Sequence, residues 1–95
     1  MAQYLTIPGV VEAEDLISAN RGSDDRSFQI AIRHGDTGTY LFRAANDGTV
    51  IPLAVLMMDA LTLALDDVVV ASVSSAGGPD PLLSVELNAR EVRTI

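Results

Sequence analysis

From Val50 to Leu65 the chain runs for sixteen residues in which Asp59 and Thr62 are the only strongly polar side chains. Pro52 suits a first helical turn, and Asp59, Thr62 and Asp66 follow one another at steps of three and four. Such steps place side chains on one narrow stripe of a helix. The pattern therefore predicts a central helix over residues 50–66 that is apolar almost all round, and such a helix is buried on most of its sides. A chain of 95 residues buries only about 64% of the surface it exposes when unfolded. One sheet covers one side of the helix, so the remainder calls for a partner. The candidate interface is Leu53, Leu56, Met57, Asp59, Ala60 and Leu63. Asp59 reads either as a polar group that fixes the register against an Arg of a second chain or as part of the solvent-facing stripe. The run is too short and too polar to span a membrane as a helix.

The flanking segments supply the other elements. Gln3 to Ile7 reads as a strand stopped by Pro8 and Gly9. Val10 to Asn20 reads as a short helix with Glu12, Glu14 and Asp15 at its positive end and Asn20, Arg21 and Gly22 as its stop. Between Ser27 and Ala45, two alternating runs flank Gly35, Asp36, Thr37 and Gly38. A three-residue turn there makes a hairpin that gathers Phe28, Ile30, Ile32, Tyr40 and Phe42 on one face. After the central helix, Val68 to Ser74 is a β-branched strand, Ser75 to Pro81 is a turn rich in Gly and Pro, and Leu82 to Leu87 alternates as a last strand continuing toward Thr94. The predicted order is β-α-β-β-α-β-β within one α+β domain spanning residues 1–95, with two helices packed on an antiparallel or mixed sheet. Its first six elements fit a ferredoxin-like split βαβ sandwich.

Charge narrows the function. The formal net charge is -7, yet 13 acids are ordinary for this length and the imbalance comes from having only 6 bases. All of them are Arg, and none lies between Arg43 and Arg90. Clustered bases for gripping nucleic-acid phosphate or an anionic membrane are missing, so neither is an expected partner. A base-poor chain instead suits a protein partner with a basic surface. The absence of Cys removes disulfides, thiolate catalysis and sulfur-ligated zinc. No basic and apolar leader opens the sequence, which makes a cytoplasmic location the expectation.

Candidate chemistry is sparse. His34, the one histidine, lies beside Arg33 with Asp36 two residues on, which would allow a base oriented by a carboxylate; it equally describes the tip of a turn. The acidic groups Glu12, Glu14 and Asp15, then Asp24 and Asp25, then Asp66 and Asp67 lack the alternating spacing of a calcium loop. Gly77 and Gly78 precede prolines and no Lys, which is not a phosphate loop. No cofactor and no metal site is expected. The sequence points to a small non-enzymatic protein-protein interaction module of adaptor, chaperone or inhibitor type, such as a phage or mobile element encodes, acting as a homodimer through its apolar helix and sheet surface. Two alternatives stand beside it: a structural subunit of a homo-oligomer, and a small enzyme or ligand binder using Arg33, His34 and Asp36.

Overall fold

The computed structural model describes residues 3–22, 24–58, 60–75 and 82–95, and in it the long apolar run is two strands folded back on each other. In chain order the elements are β1 (Tyr4–Ile7), β2 (Val11–Asp15), β3 (Ser18–Arg21), β4 (Ser27–Arg33), α1 (Asp36–Asp47), β5 (Val50–Met58), β6 (Leu61–Ser75) and β7 (Leu82–Thr94). The seven strands form one sheet in the order β2-β1-β5-β6-β7-β4-β3, with every neighbouring pair antiparallel. The sheet curls into a half-barrel with one short helix against it. This replaces the expected α+β arrangement of two helices on a sheet, and with it the ferredoxin-like alternative.

The central helix predicted over residues 50–66 does not exist. Ala54 pairs with Leu65 and Leu56 with Leu63 across the β5–β6 ladder, and all four side chains are buried in the core. Their neighbours Leu53, Val55 and Met57 point to the opposite face, where they are half-buried or exposed. Both faces of β5 are therefore apolar, which erases the alternation expected of a half-solvated strand and leaves a continuous hydrophobic run. Asp59 and the predicted turn residues Gly77, Gly78, Pro79 and Pro81 lie outside the described residues.

The curl has a local cause. The β5–β6 register passes over Pro52 and Asp67, and the β6–β7 register passes over Asp67 and Arg90. Core-facing positions step by three along this line, from Ile51 to Ala54 on β5, from Leu65 to Val68 on β6 and from Ala89 to Val92 on β7. Pro52 has no N–H to give a ladder. Asp67 adopts φ 50, a left-handed conformation that Asp tolerates better than most residues. Three adjacent strands thus bend together, and a second irregularity between Val70 and Ser72 bends β6 again.

Closure comes from the segment predicted as the first helix. Val11 to Arg21 is extended and exchanges partners halfway: β2 pairs with β1, β3 pairs with β4, and Leu16 and Ile17 join the two. Leu16 N–H donates to the Gln3 carbonyl (2.9 Å) and Ile17 N–H donates to the Ala31 carbonyl (2.8 Å). The two edges of the sheet are consequently halves of one continuous stretch. Leu16 and Ala19 enter the core while Glu12 and Asp15 stay exposed, so its carboxylates serve solubility on short edges and not a helix dipole.

The predicted second arm of the first hairpin is α1. Thr37, Gly38, Leu41 and Ala44 form its buried stripe, a spacing of three and four. Gly48, at φ 68, ends the helix with its N–H donating to the Ala44 carbonyl, the left-handed termination that Gly performs at least cost. Tyr40, Phe42 and Ala44 had suggested a strand, but Phe42 is 52% exposed while Leu41 is fully buried. The helix lies on the core side of the sheet. Gly38 comes so near the Leu83 side chain that a Cβ there would collide with it, and buried Thr37 donates through Oγ1 to Glu14 Oε1 at 2.6 Å. Leu41 and Ala44 join Leu5, Phe28, Ile30, Ile32, Leu56, Leu65 and Val85 in one core.

Candidate interaction surfaces

Arg33, His34 and Asp36 fall at the junction of β4 and α1, and all three are exposed. No hydrogen bond or ion pair joins them. His34 Nε2 lies 3.5 Å from Ser75 Oγ, beside an open hollow lined in part by Gly38, Thr39, Phe42 and Leu83. A general base needs a group that orients it and a shielded reacting position, and this junction supplies neither. Among the described residues, no group of three His, Cys, Asp or Glu side chains is placed to hold a metal ion, and no helix is long and apolar enough to cross a membrane.

The six interface candidates separate. Leu56 and Leu63 face each other inside the chain's own core, 0% and 1% exposed, and have no surface to offer a partner. Leu53 is half-buried, while Met57 and Ala60 are exposed. Strand register shows where the exposed members belong. On the face of the sheet away from the core, Tyr4 is paired with Met57, Met57 with Thr62, Val55 with Ala64 and Leu53 with Asp66. Ile95 N–H donates to the Thr62 carbonyl (2.9 Å) and extends the row. Ala64, paired with Val55 on β5 and Arg93 on β7, is only 3% exposed. Tyr4, Val55, Ala64 and Ile95 were not singled out from the sequence. The signal available was the spacing of Leu53, Val55 and Met57, which has the period of a strand.

The other half of the outer face is different in chemistry. Asn20, Gln29, Glu86 and Ser72 form one cross-strand row, and Ser18, Ala31, Ser84 and Ser74 form the next. Together they line a shallow hollow of about 200 Å³. Short hydroxyl and amide side chains keep this half hydrated, whereas the Leu53–Val55–Met57 half offers mainly hydrocarbon to water.

Ion pairs mark the boundary of the apolar half. Arg93 forms two hydrogen bonds to Asp66, Nε to Oδ2 at 2.8 Å and Nη2 to Oδ1 at 3.0 Å. Arg90 Nε lies 2.7 Å from Asp67 Oδ2. The hydrogen bond from Arg93 holds the Asp66 carboxyl below its ordinary range; partial desolvation opposes this, and the charges of Arg93 and Arg90 add to it. The same pairing raises the pKa of Arg93. These pairs are solvated, so they orient the β6 and β7 side chains more than they stabilise the fold.

No family model matches the sequence, and no curated protein matches it. The fold of the described residues does have counterparts among solved structures. This is the fold of the Hcp proteins. Hcp2 from Salmonella typhimurium superposes with a TM-score of 0.82, covering 100% of this chain and 93% of its own, at 18% identity. Hcp1 from the same organism gives 0.80, covering 99% of this chain and 90% of its own, also at 18% identity. A type VI secretion system effector from Yersinia pestis gives 0.79 at 14% identity, covering 98% of this chain and 96% of its own. In this Hcp-like fold, β1, β5 and β6 carry the apolar outer surface and β3, β4 and β7, with the far end of β6, carry the polar one.

Proposed function

We propose that the chain is a structural, non-enzymatic subunit that assembles with copies of itself, as a component of a type VI secretion apparatus or of a machine built on the same plan. The observation that carries this reading is the extent of the Hcp likeness, which takes in 100% of this chain and 93% of Hcp2. The solved neighbours include a protein described as belonging to a type six secretion system, at a TM-score of 0.81.

The outer face supports the same reading. A half-barrel of seven strands needs no helix or second sheet over β1, β5 and β6, yet that face presents Tyr4, Leu53, Val55, Met57 and Ile95. Apolar surface of this kind on a small protein marks a contact with another protein. The structural-subunit reading is preferred to the adaptor or inhibitor reading, since the Hcp proteins are structural oligomeric subunits. It also accounts for the weakness of the His34 junction as a catalytic site.

Sedimentation velocity of the purified full chain is the test. Assemblies at integer multiples of the 10.0 kDa protomer, growing with concentration, are expected. A single 10.0 kDa species up to the solubility limit would overturn the proposal.

A further inference from the structure

β2 stands at the end of the strand order, and one side of its backbone is open. Leu16 N–H donates to the Gln3 carbonyl, and the Glu12 carbonyl accepts from Thr6 Oγ1 at 2.8 Å, so both point toward β1. A trans peptide directs its C=O and N–H opposite ways, and the described chain contains no cis peptide. The Ala13 N–H and the Asp15 carbonyl therefore face away from β1, and neither has a hydrogen-bond partner among the described residues. Farther along the chain that same side belongs to β4, where Ile17 N–H donates to the Ala31 carbonyl and Ser18 is paired with Ala31. Continuing this register would set His34 against Asp15 and Asp36 against Ala13. β4 instead ends at Arg33, and the chain turns into α1 at Asp36. A strand is missing beside Ala13.

An open hollow of about 480 Å³ lies in that gap, with residues 10–14 along one side and Asp36, Thr37 and Tyr40 along the other. Successive side chains of a strand point to opposite faces, so a hollow touched by five residues in a row follows the strand's edge. The Thr37–Glu14 hydrogen bond ties its two walls together. Its charge is of one sign: Glu12, Glu14 and Asp36 line it, and no base does among the described residues. Glu12 and Asp36 are exposed and make no ion pair among the described residues. The carboxylates that keep this edge soluble also select what can add to it, since they repel an acidic strand and attract a basic one.

We propose that this gap receives an extended, Arg- or Lys-rich segment of a different protein, which adds to β2 as the strand that β4 does not supply. Its backbone pairs with Ala13 and Asp15, the mode by which peptides extend exposed sheet edges. Its basic side chains are set toward Glu12 and Asp36, and its apolar ones toward Val10 and Tyr40. A second copy has no such segment to offer: β3 and β4 carry one base each, and both bases of β7 are paired with Asp67 and Asp66. The inference stands apart from the homo-oligomer reading, because it uses another part of the sheet and another partner.

Fluorescence anisotropy of a capped, dye-labelled hexapeptide of alternating Arg and Val, titrated with the full chain at low salt, is the test. Saturable binding that weakens as salt rises is expected. Ala13→Pro removes the outward N–H without breaking a bond to β1, and Glu12→Arg reverses a carboxylate of the hollow. Both positions are exposed, and circular dichroism verifies that each variant folds. Each variant lowers the affinity roughly tenfold or more, the effect of losing one or two hydrogen bonds. The same peptide N-methylated at alternate residues loses strand pairing with no change to the protein, and it weakens by a similar factor. A peptide with Glu in place of Arg does not bind. Absence of saturable binding at millimolar peptide, equal binding of the acidic peptide, or binding indifferent to both Ala13→Pro and N-methylation would overturn the proposal. So would loss of the chain's own self-association in Ala13→Pro, which would give the edge to a second copy.

Discussion

Replacing Leu56 by Ala separates the strand account of the apolar run from the helix that its sequence suggests. Leu56 is 0% exposed on β5, between Leu5 on β1 and Leu63 on β6, which are 0% and 1% exposed. Losing the equivalent of three buried carbons removes about 2.4 kcal/mol of transfer free energy at ~0.8 kcal/mol each. Leu5 and Leu63 are held by strand pairing on both sides and cannot collapse far into the space, so a cavity term brings the total to about 3–4 kcal/mol. A domain of this size has about 5–14 kcal/mol of stability in all, and each kcal/mol is worth roughly 4–8 °C in Tm. The expected loss is therefore about 12–30 °C. Urea and thermal unfolding followed by circular dichroism read it directly, at one fixed protomer concentration because self-association adds its own stabilisation. Val69→Ala is the companion variant. Val69 lies on the outer side of β6, 39% exposed, and its truncation costs under ~1 kcal/mol, the span of strand propensities. A Leu56→Ala loss no larger than that of Val69→Ala would refute the placement of Leu56 in the core.

Three further outcomes follow from single contacts. Glu14→Ala leaves the buried Thr37 hydroxyl without its acceptor and lowers stability by about 1–3 kcal/mol in urea titrations, whereas Glu14→Gln keeps an acceptor oxygen and recovers most of it. At Asp67, φ 50 makes the order of melting temperatures Gly equal to or above Asp, and Asp above Val. Gly removes the left-handed cost of about 1–2 kcal/mol and forfeits only a solvated ion pair to Arg90 worth about 0–1 kcal/mol. Asp66 titrates below its ordinary value of 3.8 in the folded chain, so its contribution is complete above that value and disappears as pH falls through the folded-state pKa. Stability of the native chain relative to Asp66→Asn should accordingly narrow in strong acid and be constant from pH 5 upward; a gap unaffected by acid would contradict the Arg93–Asp66 geometry.

How much of this fold could be read depended on how each element is solvated. β1, β4 and β7 were legible because water wets one face and the core takes the other: Phe28, Ile30 and Ile32 alternate with Gln29 and Arg33, and Leu83, Val85 and Leu87 with Ser84 and Glu86. β5 was not, because its outer face carries Leu53, Val55 and Met57 in place of polar side chains. The feature that hid the strand is the same apolar outer face on which the proposed self-association rests. The apolar run was therefore assigned to a helix, and Leu56 and Leu63, read as interface candidates, are buried in the chain's own core. α1 was concealed by Tyr40, Phe42 and Ala44, whose spacing of two has the period of a strand, whereas in the helix Phe42 turns to the exposed side. The partner exchange at Leu16 and Ile17 has no local signature, since it depends on β1 and β4 being brought together from either side.

Electron microscopy of the purified chain in negative stain tests the central claim most directly. A protomer measures 36 × 33 × 28 Å, too small to give more than a featureless spot. Assembly of copies of the chain, the proposed function, predicts discrete particles several protomers across. Fields of single protomers alone, at concentrations up to the solubility limit, would contradict it.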